Sequence, residues 1–415
     1  MYDFFLLIYL FINIFKIVYE SLFLKKKKKN LLERLSLKKY NFFSQDKTVI
    51  WIHSVSLGET AAAAPLIKKI KEKIKTGYII LSSSTETGNN KAKELKEADK
   101  CIYMPFDLSF VIKRVFRQIK PDIVIFIETD IWFNFLKHSK KLNAKIFLVS
   151  AKISEKSANR YSKIKFFSKK IFSYFDLIIT QNEDYKKLFI KAHADEKKII
   201  VGKNLKFDIE AKEINILQKN NLIDRLNLKN KTVLSIVSTH DNEEDLILSN
   251  IKNFIEDQNY IIFLAPRHPE RFNFVYSLIK KKYKNIIKLS EIENRSDEKI
   301  VLIDKMGFLH ILFNLSKVSI VGGSFIKNIG GHNILEPLLY NTKILFGPYM
   351  EMQKDLVNLT ILHNIGISSN LADLNLNIKK LLDKDFNEND FINSKKSLIK
   401  SLKGSSNIIF ENIFK

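Results

Sequence analysis

The chain has 415 residues, more than one hydrophobic core normally supports, so its length favours two domains. Hydrophobic residues make up 46% of the sequence, which excludes an intrinsically disordered chain, and the single cysteine, Cys101, excludes an internal disulfide and a cysteine metal cluster. The net charge of +24 favours anionic partners such as acidic lipids, phosphorylated substrates or nucleic acid, although lysines on solvated helix faces explain the excess equally well.

The amino terminus carries a membrane-targeting pattern. Residues 4–24 read FFLLIYLFINIFKIVYESLFL, about the ~20 residues that cross a hydrocarbon core as a helix, and five lysines follow at 25–29. We therefore predict a membrane anchor at residues 1–24 and a basic linker at 25–46, with the remaining chain on the cytoplasmic side because the lysines follow the apolar run. Lys16 and Glu20 lie inside that run, so a helix lying in the membrane interface is the alternative to a spanning one.

Strand and helix patterns alternate through the rest of the chain, in two sets. The first set of apolar runs is KTVIWIH, GYIILSS, DIVIFIE, KIFLVS and DLIIT, and the second is TVLSIVS, YIIFLAP, KIVLID, KVSIVGG and KILFG. Amphipathic segments separate the runs, and a polar stretch at 214–231 separates the sets. This pattern predicts an α/β protein with two doubly wound parallel sheets, an N-terminal lobe at residues 47–208 and a C-terminal lobe at 209–415. Ligands of such sheets bind beyond the carboxyl ends of the strands.

Charged residues follow several strands of the first lobe. Glu59 comes at the turn into the helix after WIHS, where it is either a general base or a residue that only complements the helix dipole. Glu128 closes the strand DIVIFIE, and a carboxylate there is costly unless it faces a polar cleft or a cation. Asp130 is predicted to cap the next helix. Lys206, in VGKNLKFD, is either a phosphate ligand or one more surface lysine.

The second lobe carries features of a nucleotide site. Arg267 follows the strand YIIFLAP directly, and the planar donors of a guanidinium suit a phosphate there. Gly322 and Gly323 follow VSIV, where they either let backbone amides approach a ligand or serve only a tight turn. Glu336 fits a carboxylate that accepts hydrogen bonds from ribose hydroxyls, at the start of a helix with Pro337 at its predicted first position.

Common cofactor motifs are missing from the sequence. Neither GxxxxGK[ST] nor GxGxxG occurs, which argues against ATPase and dinucleotide-dehydrogenase functions. His268 and His332 lack a paired acidic motif such as DxD, so we expect no metal and no other cofactor.

Eleven collinear segments, spread over nearly the whole chain, resemble a known family. The segments are WIHSVSLGE, SSSTETG, YMPFD, ETDIWFN, SAKISEKSANRY, GKNLKFD, STHDNEE, APRHPERF, DKMGFL, VGGSFIKNIGGHNILEP and FGPYM. Together they resemble the 3-deoxy-D-manno-octulosonic acid (Kdo) transferases, glycosyltransferases of the GT-B type with two Rossmann-like lobes and an amino-terminal membrane anchor.

The resemblance implies roles for individual residues. Glu59 corresponds to the proton acceptor, and Glu128 and Lys206 correspond to residues that stabilise charge in the transition state. The CMP-binding residues it implies are Pro266, Arg267, Met306, Gly307, Phe308, Asn333, Ile334, Leu335 and Glu336. The sequence departs from the family pattern at Phe308, where Glu is usual, so any contact made by a carboxylate there is lost.

The activity that the resemblance implies is inverting transfer of Kdo from CMP-Kdo to lipid IVA, the lipid A precursor, on the cytoplasmic side of the inner membrane. The implied partners are CMP-Kdo, lipid IVA and the inner membrane, and no nucleic acid. Three alternatives remain open: another membrane-associated nucleotide-sugar glycosyltransferase of this fold, a membrane-tethered basic binding protein, and a non-catalytic scaffold. The sequence lacks helix-turn-helix, zinc-finger and RRM signatures, which disfavours nucleic-acid binding.

Overall fold

The computed structural model describes residues 2–4, 6–8, 30–37, 39–40, 46–293, 296–383 and 387–415. The chain divides into two compact units. The first comprises Met1–Ile209 and Leu402–Lys415, and the second comprises Glu210–Ser401. Each unit is a parallel α/β domain, which confirms the predicted fold class.

The first unit is built on a seven-stranded parallel sheet with the order β3-β2-β1-β4-β5-β6-β7. Its strands are β1 Thr48–Ser54, β2 Gly77–Ser83, β3 Lys100–Tyr103, β4 Ile123–Ile127, β5 Lys145–Ala151, β6 Leu177–Thr180 and β7 Ile199–Val201. Both faces are covered, because alternate residues of one strand enter different cores. Val49 and Trp51 pack on one face, whereas Ile50 and Ile52 pack on the other. Burial on both faces explains why these strands read as continuous apolar runs.

Helices follow most of these strands. They are α1 Leu31–Arg34, α2 Leu57–Lys73, α3 Glu86–Glu94, α4 Ser109–Gln118, α5 Phe133–Lys141, α6 Glu155–Lys163, α7 Lys165–Ser173 and α8 Glu183–Lys191. Two short 3-10 helices, Glu196–Lys198 and Leu205–Asp208, flank β7.

The second unit repeats the plan with the strand order β10-β11-β9-β8-β12-β13-β14, again all parallel. Its strands are β8 Thr232–Thr239, β9 Tyr260–Pro266, β10 Ile286–Lys288, β11 Ile300–Leu302, β12 Val318–Val321, β13 Lys343–Phe346 and β14 Gly366–Ser368. Its α-helices are α9 Ile216–Arg225, α10 Glu243–Asn250, α11 Lys252–Glu256, α12 Phe272–Lys280, α13 Leu309–Leu315, α14 Leu335–Leu338, α15 Lys354–Leu362, α16 Leu374–Leu382 and α17 Glu388–Leu402. Its 3-10 helices are Leu228–Asn230, Pro269–Arg271, Leu289–Glu291 and Glu351–Gln353.

Four strands were not predicted from the sequence, and all four lie at sheet edges: β3, β7, β10 and β14. Each has only three or four residues. An edge strand has a neighbour on one side only, so it needs a shorter and less apolar run. The polar stretch at 214–231, interpreted as a separator, contains α9.

The carboxyl terminus belongs to the first unit, which corrects the predicted second lobe of 209–415 at its end. The last helix, α18 Ser405–Phe414, buries Ile409 and Ile413 in the same core as α2. Asp208 fixes the start of this helix: its carboxylate accepts hydrogen bonds from the backbone N–H groups of Gly404 (2.7 Å), Ser405 (3.2 Å) and Ser406 (2.6 Å). The apolar face of α18 therefore completes the first core.

Replacing Asp208 by alanine should lower the free energy of unfolding by about 1–3 kcal/mol, because three backbone donors at the buried start of α18 lose their acceptor. Asp195→Ala is the matched control, since the exposed Asp195 accepts only one such bond, from Lys197 N at 3.1 Å. Chemical denaturation of both variants checks this. Equal, small losses for the two variants would contradict the role given to Asp208.

The predicted anchor falls largely on residues outside those that the structure describes. Within the described part of the chain, no helix is long and apolar enough to span a membrane. Residues 2–4 and 6–8 are helical. The Tyr2 hydroxyl donates to the Asp107 carboxylate at 2.9 Å, and Asp3 accepts from the backbone N–H of Ser109 at 3.1 Å.

Candidate active site

Glu59 lies in the first turn of α2 and not in the turn before it, because the helix begins at Leu57 with Ser56 as its N-cap. The Glu59 carboxylate accepts a hydrogen bond from the backbone N–H of Val55 at 2.7 Å. Burial raises the pKa of Glu59 to about 7, and the negative charges of Glu128 and Asp130 act in the same direction against the Val55 hydrogen bond. A carboxylate with a near-neutral pKa suits a general base.

Glu128 follows β4 directly and is 2% exposed. Its two carboxylate oxygens each contact an ammonium group: Oε1 lies 2.7 Å from Lys206 Nζ, and Oε2 lies 2.5 Å from Lys152 Nζ. Burial alone would raise the pKa of Glu128, but the two lysines outweigh it and hold that pKa below its ordinary value. A buried carboxylate at this position was predicted to face a polar cleft or a cation, and it contacts two cations.

The backbone of Glu128 is strained. Its φ of +66° lies in the left-handed region, which a residue with a Cβ adopts at a cost. Glu128 N donates to Val149 O at 3.0 Å, and Glu128 O accepts from Lys152 N at 3.2 Å, so hydrogen bonds to the neighbouring β5 segment fix the turn. Strain of this kind occurs often where a side chain must be aimed at a ligand.

The structure thus brings the three predicted catalytic residues of the first unit together. Lys206 pairs with Glu128. Its positive charge also opposes, in part, the rise in the pKa of Glu59. Lys152 joins the same group, because its ammonium contacts Glu128 and also responds to the charge of Glu59. We call Glu59, Glu128, Lys152 and Lys206 the carboxylate–lysine cluster.

Asp130 corrects one prediction, because it does not cap a helix. The helix after it, α5, begins at Phe133 with Trp132 at the N-cap position and no side-chain cap. Asp130 instead accepts a hydrogen bond from Trp132 Nε1 at 3.0 Å and lies 3.1 Å from His53 Nε2. Since Asp130 also raises the pKa of Glu59, it belongs to the surroundings of Glu59.

A cleft of the second unit contains most of the residues that the family resemblance implies for CMP binding. The predicted residues that line it are Pro266, Arg267, Met306, Gly307, Phe308 and Glu336. It lies beyond the carboxyl ends of β8, β9 and β11, the edge at which ligands of parallel sheets bind. We call it the nucleotide cleft.

The nucleotide cleft combines cations with one half-buried carboxyl group, that of Glu336. Arg267 lines it, held at the end of β9 by a hydrogen bond from its backbone N–H to Thr239 O at 3.1 Å. Burial raises the pKa of Glu336, and Lys212 and Arg267 oppose that rise without cancelling it. A carboxyl group of this kind accepts hydrogen bonds from hydroxyl groups, and the cations nearby suit a phosphate.

The remaining predicted nucleotide residues do not line the cleft. Asn333 Oδ1 accepts from the backbone N–H of Leu335 at 2.9 Å, so this side chain serves the turn before α14. The side chains of Ile334 and Leu335 are buried in the core. Pro337 is the third residue of α14 and not the first, since that helix begins at Leu335.

Known proteins that are similar to this chain identify its family. The family model described as 3-deoxy-D-manno-octulosonic-acid transferase (kdotransferase) matches residues 29–209. The 3-deoxy-D-manno-octulosonic acid transferase of Chlamydia trachomatis serovar D is 30% identical over 407 residues, which cover 98% of this chain and 94% of that protein. The chain belongs to the Kdo transferase family. It is therefore a glycosyltransferase.

Two further proteins resemble the chain over only part of their length or in fold alone. A bifunctional glycosyltransferase/methyltransferase of Fusobacterium nucleatum is 30% identical over 378 residues, and the chain covers 58% of its length. The crystal structure of a glycosyltransferase from Rickettsia africae matches with a TM-score of 0.57 at 17% identity, over 86% of this chain and 95% of that one. That likeness shows the fold, two parallel α/β domains of the GT-B type.

Several residues of the two sites were not found by sequence reasoning. Lys152 follows the carboxyl end of β5, the same signal that identified Glu128 after β4, and could have been found by it. Lys212, Lys305 and His310 also line the nucleotide cleft. Burial, with Lys212 acting in the same direction, lowers the pKa of His310. No local pattern separates these two lysines from the many surface lysines of the sequence.

No group of three or more His, Cys, Asp or Glu side chains within the described ranges has the geometry to hold a metal ion. The cationic side chains that line the nucleotide cleft are Lys212, Arg267 and Lys305.

Proposed function

We propose that this Kdo transferase family member moves Kdo from CMP-Kdo to lipid IVA, in lipopolysaccharide core biosynthesis. The observation that carries the proposal is the carboxylate–lysine cluster, in which Glu59 has a pKa of about 7 beside the Glu128–Lys206 ion pair. A base with this pKa is largely ionised at slightly alkaline pH and still accepts a proton readily. Family membership supports the choice of sugar.

The proposed reaction starts at Glu59. Its carboxylate removes the proton of an acceptor hydroxyl, and the oxygen attacks the anomeric carbon of Kdo. A new carbon–oxygen bond forms as the bond from that carbon to the CMP phosphate breaks, with inversion of configuration. The electron pair leaves with CMP, and the proton stays on Glu59. Lys152 and Lys206, both held by Glu128, supply positive charge where negative charge develops.

The nucleotide cleft supplies the donor contacts in this proposal. Arg267 binds the phosphate, because its guanidinium presents two parallel donors to phosphate oxygens. Glu336 accepts hydrogen bonds from the ribose hydroxyls, which its partly buried position favours. Phe308 presents an aromatic ring to the cleft where the family pattern has Glu, so the contact there is apolar.

Replacing either Arg267 or Glu336 by alanine should weaken CMP binding by about 1.5–3 kcal/mol, since each variant loses hydrogen bonds to or from a charged group. Isothermal titration of CMP into each variant measures this. Lys305→Ala is a comparison within the same cleft and should cost less, because a flexible ammonium forms a less directional contact than a guanidinium. If Arg267→Ala and Glu336→Ala both bind CMP as the wild type does, the donor binds elsewhere.

We also propose that residues 1–24 hold the enzyme on the cytoplasmic side of the inner membrane. The apolar run at 4–24 and the lysines at 25–29 support this location. The full-length protein should sediment with inner membranes even after a high-salt wash, because burial of apolar side chains does not weaken with salt. Deletion of residues 1–24 should release an active enzyme. Full-length protein in the soluble fraction at low salt would contradict the proposal.

The proposed function is tested by supplying purified protein with lipid IVA and one of two donors, CMP-Kdo or a UDP-sugar. Acceptor-dependent release of CMP from CMP-Kdo is the expected result. Turnover of the UDP-sugar alone would instead identify another glycosyltransferase of this fold. Release of neither nucleotide would favour a scaffold.

A further inference from the structure

Three histidines meet at the carboxyl end of the second sheet, outside the residues that line the nucleotide cleft. His240 follows β8, His268 follows β9, and His332 lies in the loop between β12 and α14. His240 Nε2 and His332 Nε2 are 2.7 Å apart, and the two rings are nearly parallel. The ring of His268 meets that of His240 edge-on, with 5.3 Å between centroids.

The contact between the two Nε2 atoms fixes their proton count. A hydrogen bond at 2.7 Å needs a donor on one side and a lone pair on the other, so one proton is shared between these two nitrogens. Among the residues that the structure describes, no other side chain hydrogen-bonds either ring. The remaining ring nitrogens of this pair are therefore available to a ligand.

A buried carboxylate accepts hydrogen bonds from the two loops that carry the histidine pair. Glu243 is fully buried and accepts hydrogen bonds from four backbone N–H groups, those of His240 (2.9 Å), Gly323 (2.6 Å), Ser324 (3.1 Å) and Phe325 (3.0 Å). It thus ties the loop after β8 to the glycine loop after β12.

The absence of a side chain at Gly323 leaves space for the ring of His332. Its φ is +68°, and a Cβ there would lie 2.6 Å from His332 Cδ2. His332 packs against this glycine so closely that any side chain at position 323 would displace the ring. Glycine is therefore required at this position by the close packing of His332, and not only by the tight turn.

The groups around the pair include two cations, Arg267 and Arg271, and two carboxylates, Glu243 and Asp241. Burial lowers the pKa of His332 to about 4, and His240, Arg267 and His268 lower it further. Burial also lowers the pKa of His240, with His268 and Arg271 in the same direction and Glu243 and Asp241 opposed. The pair is therefore uncharged at neutral pH, even though the carboxylates of Glu243 and Asp241 act on His240. An anion placed against it would reverse this balance and favour a second proton.

We propose that His240 and His332 form an anion site that binds the charged group of the sugar-nucleotide donor and takes up a proton when it is occupied. This inference rests on the proposed function, which supplies a donor with two anionic groups, the phosphate and the carboxylate of Kdo. Arg267 connects the two sites, since it lines the nucleotide cleft and acts electrostatically on His332. Uptake of the proton leaves the pair positively charged beside the donor, where negative charge develops as the sugar departs.

Calorimetric titration at a pH of about 6 in two buffers of different ionisation enthalpy tests the site, because the buffer-dependent heat counts protons. The wild type should take up as much as about one proton on binding CMP-Kdo, whose phosphate is a diester and does not titrate near this pH, and none on binding cytidine. In His240→Gln and His332→Gln the uptake should disappear and affinity for the anionic ligand should fall by about tenfold. Glutamine retains a hydrogen-bonding side chain, so the loops keep a link.

A matched control is His363→Gln, at the end of α15 and outside every residue group named above, which should leave proton uptake and affinity unchanged. Gly323→Ala should reproduce the loss by displacing His332 without removing it. A fall in affinity for CMP identifies the phosphate as the bound group, and a fall for CMP-Kdo alone identifies the carboxylate.

Wild-type binding without proton uptake, together with unchanged affinities in both histidine variants, would overturn the site while leaving the proposed function intact. Failure of the wild type to bind either CMP or CMP-Kdo would instead overturn the proposed function. Should a glutamine variant unfold, proton uptake by the wild type and the affinity of Gly323→Ala decide the matter.

Discussion

Glu59→Gln is expected to slow Kdo transfer by about 10²- to 10⁴-fold and to leave CMP affinity unchanged, because a positioned general base contributes that much to rate. Glutamine retains the size of the side chain and can still accept the Val55 hydrogen bond, but it cannot take a proton. Glu59→Ala should therefore be impaired to the same degree. Rate measurement under saturating substrate, with the fold checked by circular dichroism, gives the comparison.

The pH dependence provides an independent test of the same residue. Glu59 acts as a base only when ionised, and its pKa is about 7, so the wild-type rate should rise as pH increases through that value and level off above it. The matched control is Glu86→Gln, an exposed carboxylate in the first turn of α3, which should change neither the rate nor the profile. A near wild-type rate of transfer by Glu59→Gln would show that Glu59 is not the general base and only complements the helix dipole.

Glu128→Ala is expected to have the second largest effect, a loss of about 10²- to 10³-fold in rate, since two ammonium groups lose the carboxylate that holds them. It should also lower the free energy of unfolding by roughly 1–3 kcal/mol, a range discounted because both lysine side chains are about a third exposed. Asp245→Ala, which breaks the surface pair with Lys282, is the control and should cost less than about 1 kcal/mol.

The pH dependence of stability follows from the pKa of Glu128, which is held below its ordinary value. The stabilisation is present above the unfolded-state pKa and is lost as pH falls through the lower folded-state value. The difference in unfolding free energy between wild type and Glu128→Ala should therefore be full at neutral pH and shrink in acid. Lys152→Ala and Lys206→Ala each leave one ammonium on the carboxylate, so each should lose less activity than Glu128→Ala. A fully active Glu128→Ala enzyme would remove the ion pairs from the mechanism.

Sequence reasoning predicted the central strands well because those strands are buried on both faces and read as continuous apolar runs. The edge strands escaped it, as β14 shows: Gly366–Ser368 has no apolar run to detect. The return of α18 to the first unit was also missed. Helical periodicity shows that Ile409 and Ile413 share one face, but it does not show which core that face joins.

Residues of the candidate site were predictable where a charged side chain directly follows the end of a strand. Glu128 was identified in this way, and its cost in a buried position indicated either a polar cleft or a cationic partner. Lys152 obeys the same rule but is one lysine among many. Asp130 was misassigned because an acidic residue before a helix usually caps it, whereas here Trp132 and His53 bind the carboxylate. The histidine pair depends on contacts between residues 92 positions apart, which no local pattern reveals.

The most direct test of the proposed activity is the mass of the lipid product. Purified full-length protein is incubated with CMP-Kdo and lipid IVA, with Glu59→Gln in parallel, and the lipids are measured by mass spectrometry. The expected result is an increase equal to one or more Kdo residues with the wild type, and a product yield with Glu59→Gln reduced by at least about 10²-fold. Unmodified lipid IVA after incubation with a folded wild-type protein that binds CMP-Kdo would contradict it.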